Sequence, residues 1–370
     1  MNMKFLFAVL LLIGFSAQSE LLCLKMTKRG KFKVVSTNKS KCPKGNLLDT
    51  DSVVGNPGSK GMSGSNGIDA TERIWGDESA GDLVINSSTT FSNTNPQFRN
   101  VTINAGNTLT VHSGTTIRAT GTCLINGSIE VENGAHGGRS NGLRHQPANF
   151  GLAYSPPGLG EYGDPDNSNQ LRGGLGGLGV SEETARMILK LTGTAYGSAG
   201  ESNVSVAGGS GGGGFALYCK GAVIIQGTVS ADGGDAFFVF GAGGGSGGLV
   251  VIASQESIVS TGTISATGGN GANWDWATSS AGGGGGGGII HLLAPHIISG
   301  TTDVSGGDNG SISPTDFITC PCYAGSGGGG FGGDGGRGGH VNLVRNPQSA
   351  ISGGAGFVIT TLADPSALLF

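Results

Sequence analysis

Lysine nearly vanishes from this sequence beyond residue 60. Nine of its eleven lysines lie at or before Lys60, and only Lys190 and Lys220 follow. The distal chain therefore lacks the basic stripe that holds phosphate backbones, and nucleic acid is not expected as a partner. Charged residues of either sign amount to 12%, half the usual share, which is too few for a solvated disordered chain. No uninterrupted apolar run reaches the length of a membrane-spanning helix, so no membrane insertion is expected. No C-x-x-C pair is present to hold zinc, and no G-x-x-x-x-G-K-S/T loop to cradle a nucleotide. Matches to G-x-G-x-x-G follow from glycine abundance alone, and none opens a helix within a β-α-β unit. The chain reads as a non-enzyme that needs no cofactor.

Glycine fills the space, at 75 of 370 residues. Ordinary helices are disfavoured, since each glycine costs about 1 kcal/mol relative to alanine inside one. Four glycine runs are each followed by a short apolar stretch. Run 208–214 precedes Phe215-Ala216-Leu217-Tyr218, run 241–248 precedes Leu249-Val250-Val251-Ile252, run 282–288 precedes Ile289-Ile290-His291-Leu292-Leu293, and run 325–339 precedes His340-Val341-Asn342-Leu343-Val344. A second beat follows the first three: Gly227-Thr228-Val229-Ser230, Gly262-Thr263-Ile264-Ser265 and Thr301-Thr302-Asp303-Val304-Ser305, each ending in a Gly-Gly pair. A repeated unit of this kind buries its face by stacking on its neighbours. Flexible linkers would not need such phasing, so the runs are expected to pack as polyproline-II-like helices, where a residue without Cβ allows close backbone approach. The repeat length drifts, which puts the extra residues in loops on one side.

Residues 1–19 carry Lys4, an apolar stretch over 5–15 and small residues at Ala17 and Ser19, the pattern of a secretory signal cleaved after Ser19. Cysteines in an exported chain favour disulfides. Cys23 and Cys42 flank a basic segment, and pairing them would contribute roughly 3 kcal/mol. Cys123 and Cys219 lie in apolar stretches where cysteine also serves as a small hydrophobe, and they stay unassigned with Cys320 and Cys322. After this module, over 20–50, glycines at Gly55, Gly58, Gly61, Gly64 and Gly67 give five G-X-Y triplets, a collagen-like segment over 51–70 that points to a homotrimer.

Residues 71–135 read as a stem of short strands: Leu83-Val84-Ile85, Val101-Thr102-Ile103, Leu109-Thr110-Val111, Thr116-Ile117-Arg118, Cys123-Leu124-Ile125 and Ser128-Ile129-Glu130-Val131. Such beats suit the rungs of a β-solenoid or a trimeric β-prism. Gly127-Ser128-Ile129-Glu130-Val131 echoes the distal beat, so both halves are expected to share one architecture. Residues 136–205 form a loop-rich insert whose one helical candidate is 181–191, capped by Ser181 with Glu182 and Glu183 in its first turn. The remainder, 206–370, is the glycine-rich tip. In its variable loops lie Trp274-Asp275-Trp276, Phe237, Phe238 and Phe240, and Tyr323, which together suit a sugar ring stacked on aromatics with a carboxylate for its hydroxyls. For the phenylalanines, capping of the core is the competing role. Glu161, Asp164 and Asp166, with Arg172 or Arg139, are the acidic alternative, a depolymerase site or a solvated turn. His136, Arg139, Arg144 and His145 lie in a glycine-rich loop without a third metal partner.

The layout from the signal through the Cys23–Gly45 module, the collagen-like run and the short-strand stem resembles the mosaic adhesive trimer fibres of predatory bacteria. The glycine pattern over 206–345 is similar to the polyglycine-sandwich adhesins at phage long-tail-fibre tips, which lack a signal peptide. The two resemblances imply an all-β homotrimeric fibre, secreted or held at a bacterial cell surface. Its short β-rung, solenoid-like stem would end in a glycine-rich tip with polyglycine-II-like runs. Loops over 236–240, 273–280 and 311–323 would recognise a bacterial surface glycan or an outer-membrane protein. A β-solenoid polysaccharide depolymerase and a purely structural surface fibre are the alternatives.

Overall fold

The computed structural model describes residues 21–26, 32–37, 70–140, 145–149, 151–158, 174–191, 196–202, 207–237, 241–273, 281–311, 326–341 and 347–369. The chain forms two units, 1–67 and 68–370. In the first, strands Leu21–Met26 and Phe32–Thr37 pair antiparallel, with Cys23 opposite Val35. No strand was expected here from the sequence, although Val34 and Val35 are β-branched. Cys42 and the collagen-like triplets lie outside the described residues.

The second unit is built on three six-stranded parallel sheets that the chain visits in turn, coil upon coil. The first sheet holds Leu83–Ile85, Val101–Ile103, Cys123–Ile125, Val223–Ile225, Ser257–Ser260 and His296–Ile298. The second holds Thr89–Phe91, Thr108–Val111, Ser128–Val131, Thr228–Ser230, Thr263–Ser265 and Thr301–Asp303. The third holds Gln97–Phe98, Thr115–Ala119, Gly214–Cys219, Leu249–Ser254, Ile289–Leu293 and Phe357–Thr361. Residues of the 71–135 stem thus share all three sheets with those of the tip; Ser128-Ile129-Glu130 pairs directly with Thr228-Val229-Ser230. This parallel, all-β arrangement is the architecture of a β-solenoid. Its interior is a continuous apolar column that includes Val101, Ile103, Leu109, Ile125, Phe215, Leu217, Ile252 and Ile290.

The recurrent G-T-V/I-S beat has a steric cause. Each Gly sits in the turn between the first and second sheets, where the turns of successive coils touch. A Cβ at Gly227 would overlap the carbonyl of Gly127, and one at Gly262 the carbonyl of Gly227. The next residue locks the stack: the amide of Thr228 donates to Gly127 O (3.0 Å) and that of Thr263 to Gly227 O (2.9 Å).

The corner between the second and third sheets carries the glycine runs. Residues 132–213, 231–248, 266–288 and 304–356 leave and re-enter the solenoid there. Their glycine segments lie side by side, joined by backbone hydrogen bonds with a three-residue period. In run 282–288, the amides of Gly282, Gly285 and Gly288 donate to Ala272, Gly269 and Ala266. Those of Gly283 and Gly286 donate to Ser326 and Gly329, and those of Gly284 and Gly287 to Ile351 and Gly354. The carbonyls of the same run accept from Gly244 and Gly247, from Gly307 and Gly310, and from Gly333 and Gly336. One rod therefore bonds to six neighbouring segments, with its N–H and C=O groups satisfied and no side chain intervening.

The insert contributes to the same array. Gly138 donates to Gly200 O, Gly200 to Gly209 O, and Gly177 to Gly328 O. Glycine is required here for close approach, not for a left-handed backbone: among the described run glycines of the tip only Gly241 has a positive φ. At Gly285 a Cβ would overlap the carbonyl of Gly245.

The middle strands of the third sheet, Gly214–Cys219, Leu249–Ser254 and Ile289–Leu293, are buried on both faces, which explains their nearly unbroken apolar sequences. Inward lie Phe215, Leu217, Val250 and Ile252; outward, Ala216, Tyr218, Leu249, Val251 and Ile289 pack beneath Trp75, Ile74, Phe331 and Leu369. Trp75 belongs to a helix, Ala70–Trp75, and Leu369 to another, Ser366–Leu369; neither was expected from the sequence. The expected helix at 181–191 is shorter, Glu182–Met187, with the Ser181 hydroxyl accepting from the amide of Thr184 at 3.2 Å. His340–Val341 pairs antiparallel with Pro347–Gln348 outside the solenoid, so the strand expected after run 325–339 does not form a rung. Phe331 interrupts that run to plug the outer layer, and Phe357–Thr361, after a later glycine segment, completes the third sheet.

Cys123 and Cys219 form a disulfide across the core, joining the coils on either side of the insert. Their sequence separation of 96 places the loop near the upper end of the chain-entropy scale, worth about 4 kcal/mol.

Two outcomes follow from this packing. Gly285→Ala should cost about 3 kcal/mol or more, because a backbone carbonyl cannot step aside. Gly354→Ala, whose Cβ would meet nothing nearer than 3.4 Å, should change stability by under about 1 kcal/mol; urea midpoints of the two variants distinguish them. Buried His291, whose Nε2 lies 2.9 Å from Thr361 Oγ1, has its pKa pushed down to about 4, first by burial and then by the Arg186 charge. Its folded value lies below the unfolded value of about 6.5, so the unfolded chain takes up the proton first. Its stability contribution is intact above about 6.5 and falls as pH drops toward about 4, and His291→Leu should flatten that part of the urea-midpoint profile.

Candidate functional site

Each glycine excursion leaves the solenoid as one rod and returns as another; between the two, residues 238–240, 274–280 and 312–325 lie outside the described residues. Their flanks are held within a hydrogen bond of one another. Ala272 donates to Ala242 O (2.9 Å), Gly282 to Ala272 O (3.0 Å), Ser326 to Gly241 O (2.8 Å) and Gly310 to Gly282 O (3.0 Å). Ala236, Ala242 and Ala272 form a small apolar cluster beneath. The flanks of 159–173 join the same array, with Gly327 donating to Gly158 O and Gly338 to Gly174 O.

Polar side chains fix the register of the three outgoing rods. The carboxylate of Asp235 accepts from the amide of Asn270 (2.6 Å), and the Asn270 side chain accepts from the amide of Asp308 (2.7 Å). Asn273 Oδ1 accepts from Ser311 N at 2.8 Å. Nearer the solenoid, Asp232 takes the amide of Thr267 and the hydroxyl of Ser265. These Asp and Asn residues sit at matching repeat positions, a signal present in the sequence that went unread there. Each hydrogen bond contributes about 1 kcal/mol. Together they hold three loop bases in a row.

Of the aromatic residues expected to bind, Phe237 is described and is 60% exposed. Phe238, Phe240, Trp274, Asp275, Trp276 and Tyr323 lie outside the described residues, as do Glu161, Asp164, Asp166 and Arg172. Arg139 donates through Nε to Gln146 Oε1 (2.9 Å) in a two-residue hairpin. A cavity of about 450 Å³ opens on the flank of the rods, lined by Ser155, Pro156, Leu175, Leu178, Asp334 and Arg337. Among the described residues no three His, Cys, Asp or Glu side chains gather to hold a metal ion, and no helix is long and apolar enough to cross a membrane. No known family model, curated protein or solved structure matches the chain.

Proposed function

We propose that this protein is an exported, non-enzymatic fibre adhesin whose glycine-rich tip presents recognition loops to a bacterial surface glycan or outer-membrane protein. The observation that carries the reading is the convergence of loop bases: the flanks of 238–240, 274–280 and 312–325 are hydrogen-bonded side by side at the end of one array of rods. Segments that carry Trp274, Asp275, Trp276 and Tyr323 are thereby tethered to neighbouring bases, as a shared aromatic surface requires. A three-residue period agrees with polyglycine-II-like rods, a stiff mount for variable loops. The solenoid core is completed within one chain, so the homotrimer rests on the triplets from Gly55 to Gly67 and on the resemblance to trimer fibres. Three copies would bind polyvalently, and weak single sites would add through effective concentration. Cleavage after Ser19 and display on a bacterial surface complete the reading.

The flanks of 159–173 join the same array, and the depolymerase alternative would assign catalysis to Asp164 and Asp166 of that segment. One experiment separates the readings. The exported chain is applied to an array of bacterial surface polysaccharides and outer-membrane preparations, and the eluted polymer is sized. Retention of intact ligand, weakened about tenfold or more in Trp274→Ala/Trp276→Ala at unchanged melting temperature, is the expected result. Shortened polymer would assign a depolymerase, and binding unaffected by the double substitution would remove the loops from the site.

A further inference from the structure

Away from the loops, on the outer face of the third sheet, lies a second cavity of about 320 Å³. Its walls are unusual for this chain. Arg73 from the first helix of the solenoid unit, Arg118 from the third sheet and Lys190 from the segment after helix Glu182–Met187 all line it. These are three of the eight lysines and arginines described between residues 70 and 369, drawn from sequence positions far apart. None of the described lining residues is acidic. The remaining wall is a hydroxyl, Thr116, and an apolar surface of Ile74, Leu191, Leu369 and the Tyr218 ring.

Arg118 is built into this wall. Its guanidinium lies 5.7 Å from the centre of the Tyr218 ring and donates through Nη1 to Asn95, while its Nε–H is buried without an acceptor. The Tyr218 hydroxyl in turn donates to Leu189 O at 3.0 Å, which fixes the ring. Burial holds the Arg118 pKa below its usual value and lifts Tyr218 to about 12. A cation kept partly out of water beside a neutral phenol favours an incoming anion that replaces its lost hydration.

We propose that this cavity is a binding site for an oxyanion carried on a sugar-sized ring, a carboxylated or phosphorylated hexose. The planar forks of Arg73 and Arg118 match carboxylate or phosphate oxygens, and Lys190 adds a point charge. Thr116 offers a hydroxyl to a ring substituent, and the apolar wall suits the C–H face of the ring. The site is separate in position from the loop-bearing end and does not depend on the adhesin reading.

Titration calorimetry of the exported chain with D-glucuronate, D-glucose 6-phosphate, D-glucose and inorganic phosphate tests it. One or both acidic sugars should bind at one site per chain, at least about tenfold tighter than glucose and than inorganic phosphate, and more weakly at high salt. Binding of glucuronate alone assigns a carboxylate site, and of glucose 6-phosphate alone a phosphate site. Arg73→Gln and Lys190→Gln, both outside the solenoid interior, should each weaken binding about tenfold at unchanged melting temperature. Trp274→Ala/Trp276→Ala should bind the acidic sugar as tightly as the parent. The proposal is overturned if neither acid binds, if glucose or inorganic phosphate binds equally well, or if the Arg73 and Lys190 variants bind undiminished.

Discussion

A polypeptide backbone can be hydrogen-bonded to neighbours on six sides only where no Cβ stands between them, and this constraint governs the distal part of the molecule. In run 282–288 every third amide points to the same neighbour, so three donor rows and three acceptor rows bond to six surrounding segments. Alanine at most of these positions would drive a methyl group into a carbonyl oxygen. Glycine costs more conformational entropy on ordering than any other residue. The array offsets that cost with satisfied backbone hydrogen bonds and close van der Waals contact, not with buried apolar side chains.

Such an array has no side-chain pattern to set its own register, and the solenoid supplies one. Each returning rod runs directly into a strand of the third sheet, as Gly248 into Leu249 and Gly288 into Ile289. The parallel pairing of those strands therefore fixes where each rod begins, and the Asp235, Asn270 and Asn273 side chains hold alignment at the other end. The Cys123–Cys219 disulfide joins the coils on either side of the longest excursion, 132–213. Loops can then vary in length without loss of register, a division of labour suited to recognition.

Much of the solenoid was legible because its strands alternate with turn residues at short intervals. The G-T-V/I-S beat revealed the second sheet, and the apolar stretches after three glycine runs revealed the third. Less visible were Val223–Ile225, Ser257–Ser260 and His296–Ile298 of the first sheet, three- and four-residue strands with no glycine run to mark them. The fourth apolar stretch, from His340, misled because it looks like its predecessors; its rung is supplied by Phe357–Thr361 instead. The choice is made by long-range pairing: Phe357–Thr361 docks on Ile289–Leu293, while His340–Val341 pairs with Pro347–Gln348. The insert resisted interpretation for a similar reason. Its short Gly-containing segments, such as Gly197-Ser198-Ala199-Gly200, become rods only against other glycine runs, here the following 208–214 and the more distant 241–248. The basic cavity was equally hidden, because Arg73, Arg118 and Lys190 meet only through the packing of the outer layer.

The central claim is that the glycine runs are a structural core equal in permanence to the β-sheets. Amide hydrogen exchange, followed residue by residue by NMR on glycine-labelled protein, tests it most directly. Ordered rods predict that the amides of 282–288 exchange as slowly as those of Leu249–Ser254, limited by global unfolding of the unit. Exchange of those glycines at the rate of an open loop, while the strands stay protected, would contradict the account and return the runs to the status of linkers.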